Sequence, residues 1–319
     1  MKRKKLILDV SIIALALLLF IIWHQKCILN TTQTSLSEIK NYTVYLITTD
    51  KGFQYWDTIN QGAADMASLV DVNYIWDAPE ERNIHKQIEI INKAVDRGAN
   101  ALLVAADDPK WISRAIEDAK ARGVKIIYVD TAAYEEALTT LATDNYNAGV
   151  LAGETLLAIL EENEINSGSI GIVNLANKEN TLLREMGFRE TLEKDAKFNI
   201  LGTIYSQTDN PELIKEATEQ MINDNEDLVA LFGTSEGTTI GVGYANRTFN
   251  NKYIAIGFDK TEIMTQLLID GNLEAIIDQN PYTMGYLGMA QAIAAILGRD
   301  TGPEYINTGV TVVRREDVQ

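Results

Sequence analysis

A chain of 319 residues is more than one hydrophobic core ordinarily supports, so two domains are expected. Its 46% apolar and 23% charged residues are those of a folded globular protein and exclude a chain disordered over most of its length. A net charge of −17 excludes a protein that gains affinity by neutralising phosphates, so no nucleic-acid partner is expected.

The chain opens with a basic cluster, Lys2 to Lys5, followed by Leu6 to Trp23, apolar except for Asp9 and Ser11. This pattern makes residues 1–29 a signal sequence or a membrane anchor, with everything after Trp23 on the outer side of the membrane. No small-x-small cleavage site stands near residue 25. The residues before Cys27 are His24, Gln25 and Lys26, not the small or aliphatic ones a lipoprotein signal uses. An uncleaved anchor is the favoured reading. It makes the protein extracytoplasmic and tethered, whereas cleavage would leave it secreted or periplasmic. Cys27 is the only cysteine, so no internal disulfide can support the fold. Residues 30–41, polar and rich in Thr and Ser, read as a linker.

From Tyr42 onward short β-branched runs alternate with amphipathic helical stretches. Strands are expected at Tyr42–Thr49, Val72–Trp76, Ala101–Ala105 and Lys125–Val129, with helices at Tyr55–Leu69, Arg82–Arg97 and from Pro109 between them. Arg97-Gly98 and Arg122-Gly123 carry the usual helix stop, a cation in the last turn and glycine past it. The rhythm restarts after Thr143. A helix is expected at Asn147–Leu160, then strand Ser169–Asn174, helix Thr181–Leu192, strand Asn199–Tyr205 and helix Pro211–Asn223. Strands at Leu228–Phe232, Tyr253–Phe258 and Leu273–Ile277 follow, separated by helices, and a last helix covers Tyr282–Leu297. The fold class is therefore α/β: two Rossmann-like, doubly wound parallel-sheet lobes, with ligand expected in the cleft where strand carboxyl ends face each other.

Those strand ends carry the chemistry. Thr48-Thr49-Asp50 ends the first, with Phe53, Tyr55 and Trp56 opening the next helix; Asp107-Asp108 and Asp130-Thr131 follow. The second half contributes Asn174, Ser235-Glu236, Asp259 and Asp278-Gln279. Flat aromatic faces and planar polar groups suit a sugar ring with its apolar face and its hydroxyls. Each piece also has a plainer use: Trp56 as core, Asp107 and Asp108 as a turn and helix cap, Asp130 and Asp259 as caps or interlobe bonds.

Val129-Asp130 with Leu141-Ala-Thr-Asp-Asn-Tyr-Asn-Ala-Gly149, Arg184-Glu-Met-Gly-Phe188, Ile256-Gly-Phe-Asp259, Gln279-Asn-Pro281 and the Gln61-Gly62-Ala63 step occur in this order. Together they resemble the type I periplasmic sugar-binding proteins, the ribose- and galactose-type receptors of ABC transporters, from about Tyr42 to Val313. The resemblance implies a ligand held by Phe53, Tyr55, Trp56, Asp130, Arg184, Ser235, Asp259 and Gln279. It also implies a three-crossing hinge near Thr143, Asp278 and Gly302. The lobes would then be 42–142 plus 280–301 and 143–279 plus 302–319. Partners implied are a small polar ligand, most naturally a monosaccharide, and an ABC permease or a membrane sensor protein; a monomer is the family expectation. Thr131 departs from the Arg common in ribose-type proteins, Ser235 from Asn, and Asn210 from an aromatic, so the ligand-reading set has changed.

An enzyme is not expected. Of two histidines, His24 belongs to the N-terminal segment and His85 stands alone on a helix. No Gly-x-Ser-x-Gly elbow and no His/Cys cluster with metal spacing occurs, so no catalytic residue, metal or cofactor is assigned. A repressor core shares the two-lobed fold, but an apolar segment stands where its DNA-binding module would be.

Overall fold

A computed structural model describes Ile21, residues 39–194 and residues 197–318. Apart from Ile21, the expected signal or anchor lies outside the described residues, as do Cys27 and nearly all of the linker. Among the described residues no helix is long and apolar enough to cross a membrane.

The chain runs β1 (Thr43–Ile47), α1 (Gln54–Val70), β2 (Asn73–Asp77), α2 (Ile84–Asp96), β3 (Ala101–Val104), α3 (Pro109–Ala121), β4 (Lys125–Val129) and β5 (Thr139–Ala142). It continues with α4 (Asn145–Glu162), β6 (Gly168–Leu175), α5 (Glu179–Leu192), β7 (Phe198–Ile200), β8 (Ile204–Ser206), α6 (Pro211–Asp224), β9 (Leu228–Gly233), α7 (Glu236–Thr248), β10 (Ile254–Phe258), α8 (Glu262–Ile269) and β11 (Ala275–Asp278). Then come α9 (Pro281–Ile296), β12 (Tyr305–Asn307) and β13 (Thr311–Arg314).

These strands form two sheets, ordered β12-β5-β4-β3-β1-β2 and β13-β11-β10-β9-β6-β7, with β8 also on β6. Pairing is parallel except at β13, which runs antiparallel to β11. Strands such as β3 (ALLV) and β10 (IAIGF) are buried throughout because helices cover both faces, so their sequences are continuous apolar runs. Each sheet has one apolar cluster per face. Val44, Leu46 and Leu103 pack against α1 and α9, while Ile47, Leu102 and Val104 pack against α2 and α3.

Local signals set the boundaries. Asn83 and Asp108 cap α2 and α3 with their side chains, and Gly98 and Gly123 follow those helices at φ 85° and 86°, a region glycine enters without cost. The run Asn199–Tyr205 divides into β7 and β8 because Arg189 reaches in and donates to Leu201 O at 3.0 Å and Thr203 Oγ1 at 2.5 Å.

The chain passes between the lobes at 143–144, at 279–280 and at 308–310. The third crossing is not at Gly302. Residues 305–307 pair with β5, and Thr139 Oγ1 and Thr140 N bind Pro303 O and Glu304 O, so the segment up to β12 stays on the first sheet.

Two helix pairs approach backbone to backbone. A Cβ on Gly62 of α1 would lie 2.1 Å from Tyr282 O, and one on Gly285 of α9 would lie 1.9 Å from Ile59 O. In the other lobe a Cβ on Gly149 of α4 would meet Arg184 O at 2.0 Å, and one on Gly187 of α5 would meet Tyr146 O at 2.1 Å. Each crossing seats a helix that carries residues facing the interlobe cleft.

Candidate functional site

A cavity of about 580 Å³ lies between the lobes, within the range of small-molecule sites. The first lobe lines it with Phe53, Tyr55, Trp56 and Asp130, and the second with Arg184, Ser235 and Asp259, together with Gln279 at the second crossing. All eight residues expected from the resemblance therefore border one space. Trp56 is also core: it is 4% exposed and meets the Tyr55 ring edge to face, with centroids 4.9 Å apart.

Asp130 and Asp259 occupy equivalent places, one residue past β4 and β10, and both are left-handed, with φ of 66° and 75°. Aspartate tolerates that region better than most residues, and the conformation turns its carboxyl across the strand ends. Tyr55 OH donates to Asp130 Oδ1 at 2.7 Å and Thr131 Oγ1 to Asp130 Oδ2 at 2.6 Å. Burial, then Asp130 and Asp259, push the Tyr55 hydroxyl well above its ordinary range, so it stays a donor.

Arg184 is 1% exposed. Its Nε donates to Asn145 Oδ1 at 2.9 Å, Nη1 to Thr234 O at 2.9 Å and Nη2 to Gln279 Oε1 at 2.5 Å. Its guanidinium lies 4.3 Å from the Phe258 ring centroid. Gln279 Nε2 in turn donates to Asp259 Oδ1 at 2.5 Å. The planar fork is thus largely engaged by the protein, and through Gln279 it holds Asp259 in place. Burial raises the Asp259 carboxyl to about 6 against the opposing pull of Arg184 and Gln279. Ser235 is the cap position just before α7, and its N–H donates to Thr238 Oγ1 at 2.8 Å.

The plainer uses hold for part of the strand-end set. Asp108 Oδ1 accepts from Lys110 N and Trp111 N, both at 2.9 Å, as a helix cap. Asn210 caps α6, and the neighbouring Asp209 lines the cavity instead. Asn174 is buried behind it, donating to Glu185 Oε2 at 2.6 Å.

Contacts where the lobes meet engage three of the strand-end acids, Asp50, Asp107 and Glu236, in pairings that local sequence patterns did not single out. Arg82 of the first lobe stands 3.6 Å from Asp209 of the second and 3.3 Å from Asp50, while Lys178 meets Asp107 at 2.9 Å. Helix α1 has no side-chain cap of its own, because Phe53 occupies that position. Glu236 Oε2, from the opposite lobe, accepts from Tyr55 N at 3.3 Å, and Gln54 Oε1 returns the favour by accepting from Glu262 N, at 2.8 Å, where α8 begins. Arg82 is a charged residue before a helix and Glu236 follows a helix cap; neither position signals its role without knowledge of how the lobes face.

Burial, then the like charge of Asp259, push the Glu236 carboxyl from its ordinary 4.5 to about 8, despite the N–H groups of Tyr55 and Gln54. Unfolding releases that proton over this interval. The protonated form contributes fully below pH 4.5, and stability falls as pH rises through 8. Glu236→Gln is expected to flatten this fall and to raise stability at pH 8.5 by about 2 kcal/mol, discounted for partial exposure. Denaturant titrations of both proteins between pH 5 and 8.5 measure it, and parallel pH profiles would sink the assignment.

The periplasmic binding protein domain family matches residues 44–300. The xylose/arabinose-binding protein XylF of Sulfolobus acidocaldarius is 26% identical over 280 residues, 81% of this chain and 67% of its own. The ribose import binding protein RbsB of Escherichia coli is 23% identical over 267 residues, covering 82% and 88%. Among solved structures, a sugar-binding protein of a sugar ABC transporter from Bacillus halodurans superposes with a TM-score of 0.80 at 25% identity, covering 86% of this chain and 98% of that one. All three are named as sugar-binding proteins, and with the family match, the two sheets, the three crossings and the shared cavity they place this chain: it belongs to the type I periplasmic sugar-binding protein family.

Proposed function

We propose that the protein is an extracytoplasmic solute-binding protein whose lobes close on a monosaccharide and deliver it to an ABC-type permease. The observation that carries this reading is the interlobe cavity, which Phe53, Tyr55 and Trp56 line together with Asp130 and Asp259. Rings supply an apolar platform for the C–H face of a sugar, and carboxyls accept from its hydroxyls. The names of the relatives, which specify xylose, arabinose and ribose, support the same class. A ligand that touches both lobes favours the closed arrangement by its differential affinity, and closure is what a membrane partner recognises.

Thermal unfolding against a panel of pentoses, hexoses, polyols and amino acids tests it. One monosaccharide is expected to raise the melting temperature in step with its saturation, and Asp259→Ala to abolish that rise while the variant still unfolds cooperatively. A rise with amino acids alone would replace sugar with another solute, and no rise with any panel member would remove the reading.

The Lys2–Lys5 cluster and the apolar run Leu6–Trp23 support a tethered protein, which also fits a sensor that presents ligand occupancy to a chemoreceptor or kinase. Co-purification from detergent with a permease or with a kinase distinguishes the two.

A further inference from the structure

The inner cavity carries an imbalance of charge. Asp130, Glu236 and Asp259 border it; of the two guanidiniums on the lining, Arg82 pairs with other acids and Arg184 is engaged by Asn145, Thr234 and Gln279. Among the described residues no basic side chain stands within 4.0 Å of any of these three carboxyls. The cations at the mouth are already committed: Arg82 to Asp50, Asp107 and Asp209, and Lys178 to Asp107. Lys110, the remaining cation on the lining, is exposed at the rim. Thr131 occupies the position after Asp130 and satisfies one carboxyl oxygen with a hydroxyl, which brings no charge.

Each acid has a neutral donor: Tyr55 OH for Asp130, Gln279 for Asp259, and Tyr55 N for Glu236. Hydrogen bonds orient a carboxylate but do not cancel its charge, and at low dielectric an uncompensated anion is costly, so Glu236 keeps its proton until a cation takes that proton's place. The upward shifts of Glu236 and Asp259, driven first by burial and then, for Glu236, by Asp259, have the same origin. A metal ion is a poor counter-charge here, because no group of three or more His, Cys, Asp or Glu side chains among the described residues converges tightly enough to hold one. An organic cation can instead reach acids that stand apart.

Resting on the reading of this cavity as a monosaccharide site, we infer that the ligand is an amino sugar, its ammonium group received by Glu236 and Asp259 and its hydroxyls by Asp130. Glu236 is then the residue that sets specificity. It sits with Asp259 on the second lobe, while Asp130, which receives the hydroxyls, is on the first, so one ligand engages both lobes.

Calorimetric titration of the full-length protein with glucosamine, galactosamine and mannosamine, each beside its neutral parent hexose and its N-acetyl form, tests the inference. One amino sugar is expected to bind at least about tenfold tighter than both neutral counterparts, since one well-placed charge contact is worth that factor or more. Glu236→Gln, checked for folding by circular dichroism, is expected to bring the amine-to-neutral ratio close to one; Asp259→Asn supplies a second reading if that variant does not fold. Neutral sugars that bind as tightly as the amino sugars overturn the ammonium assignment and leave monosaccharide binding in place. An amine preference that survives both substitutions overturns the roles of Glu236 and Asp259. If no sugar of either kind binds, the monosaccharide reading itself fails, and this inference with it.

Discussion

Arg184→Ala is expected to destabilise the protein by about 3–5 kcal/mol and to abolish ligand binding. The side chain is 1% exposed, so truncation leaves a cavity that α5 and β10 cannot fill without moving. It also strands Thr234 O and Gln279 Oε1, which accept from Nη1 and Nη2, and removes the cation over the Phe258 ring. Asp259 suffers most. Its carboxyl already lies at about 6 with Arg184 pulling it down, so loss of the guanidinium moves it higher and frees Gln279 to turn. Arg184→Lys retains a charge but cannot span Asn145, Thr234 and Gln279 with one ammonium, and it is expected to recover less than half of the loss. Urea titrations at pH 7 give the comparison. An alanine variant within 1 kcal/mol of the parent would mean that the network is incidental, since an ordinary surface substitution costs about half that.

How much of this was readable from sequence depends on the range of the physics involved. Elements whose cause is local were readable: Pro109 and Pro211 open α3 and α6, Gly98 and Gly123 follow α2 and α3, and the buried runs of β3 and β10 announce covered strands. The strand-end residues were readable too, because a parallel sheet places its carboxyl ends on one side whatever the details. Strands β12 and β13 were not. Each is three or four residues long, and only pairing with β5 and β11, far back in the chain, tells one lobe from the other. The break between β7 and β8 depends on Arg189, a dozen residues upstream of Leu201. The contacts of Arg82, Glu236 and Gln54 depend on the relative placement of the lobes, and no local period encodes that. The resemblance implied Arg184 as one of the residues that hold the ligand. It borders the cavity, but its hydrogen bonds go to the protein, a fact that depends on Asn145 and Gln279 arriving from two different crossings.

Gly149→Ala is expected to destabilise the protein by about 2 kcal/mol and to weaken ligand binding, although alanine is the better helix former. Two effects oppose each other. In a free helix the exchange gains about 1 kcal/mol. At this crossing the new Cβ would stand 2.0 Å from Arg184 O, 2.7 Å from its carbonyl carbon and 2.8 Å from its Cα, all backbone atoms that no rotamer change can move aside. Helices α4 and α5 must separate by about an ångström, and overpacking of this kind costs about 3 kcal/mol, so the clash wins. Because the blocked atom belongs to Arg184 itself, the shift carries the guanidinium away from Gln279, and binding falls along with stability. Gly187→Ala, whose Cβ would meet Tyr146 O at 2.1 Å, is expected to act through the same separation. Once one substitution has parted the helices, the second meets less resistance, so the double variant should lose less than the sum of the two. Gly202→Ala, with nothing within 4 Å of its Cβ, is the control and should be close to neutral. Melting curves of the four variants decide the matter. A higher melting temperature for Gly149→Ala, or strict additivity with Gly187→Ala, would show that the crossing yields freely and does not hold Arg184 in position.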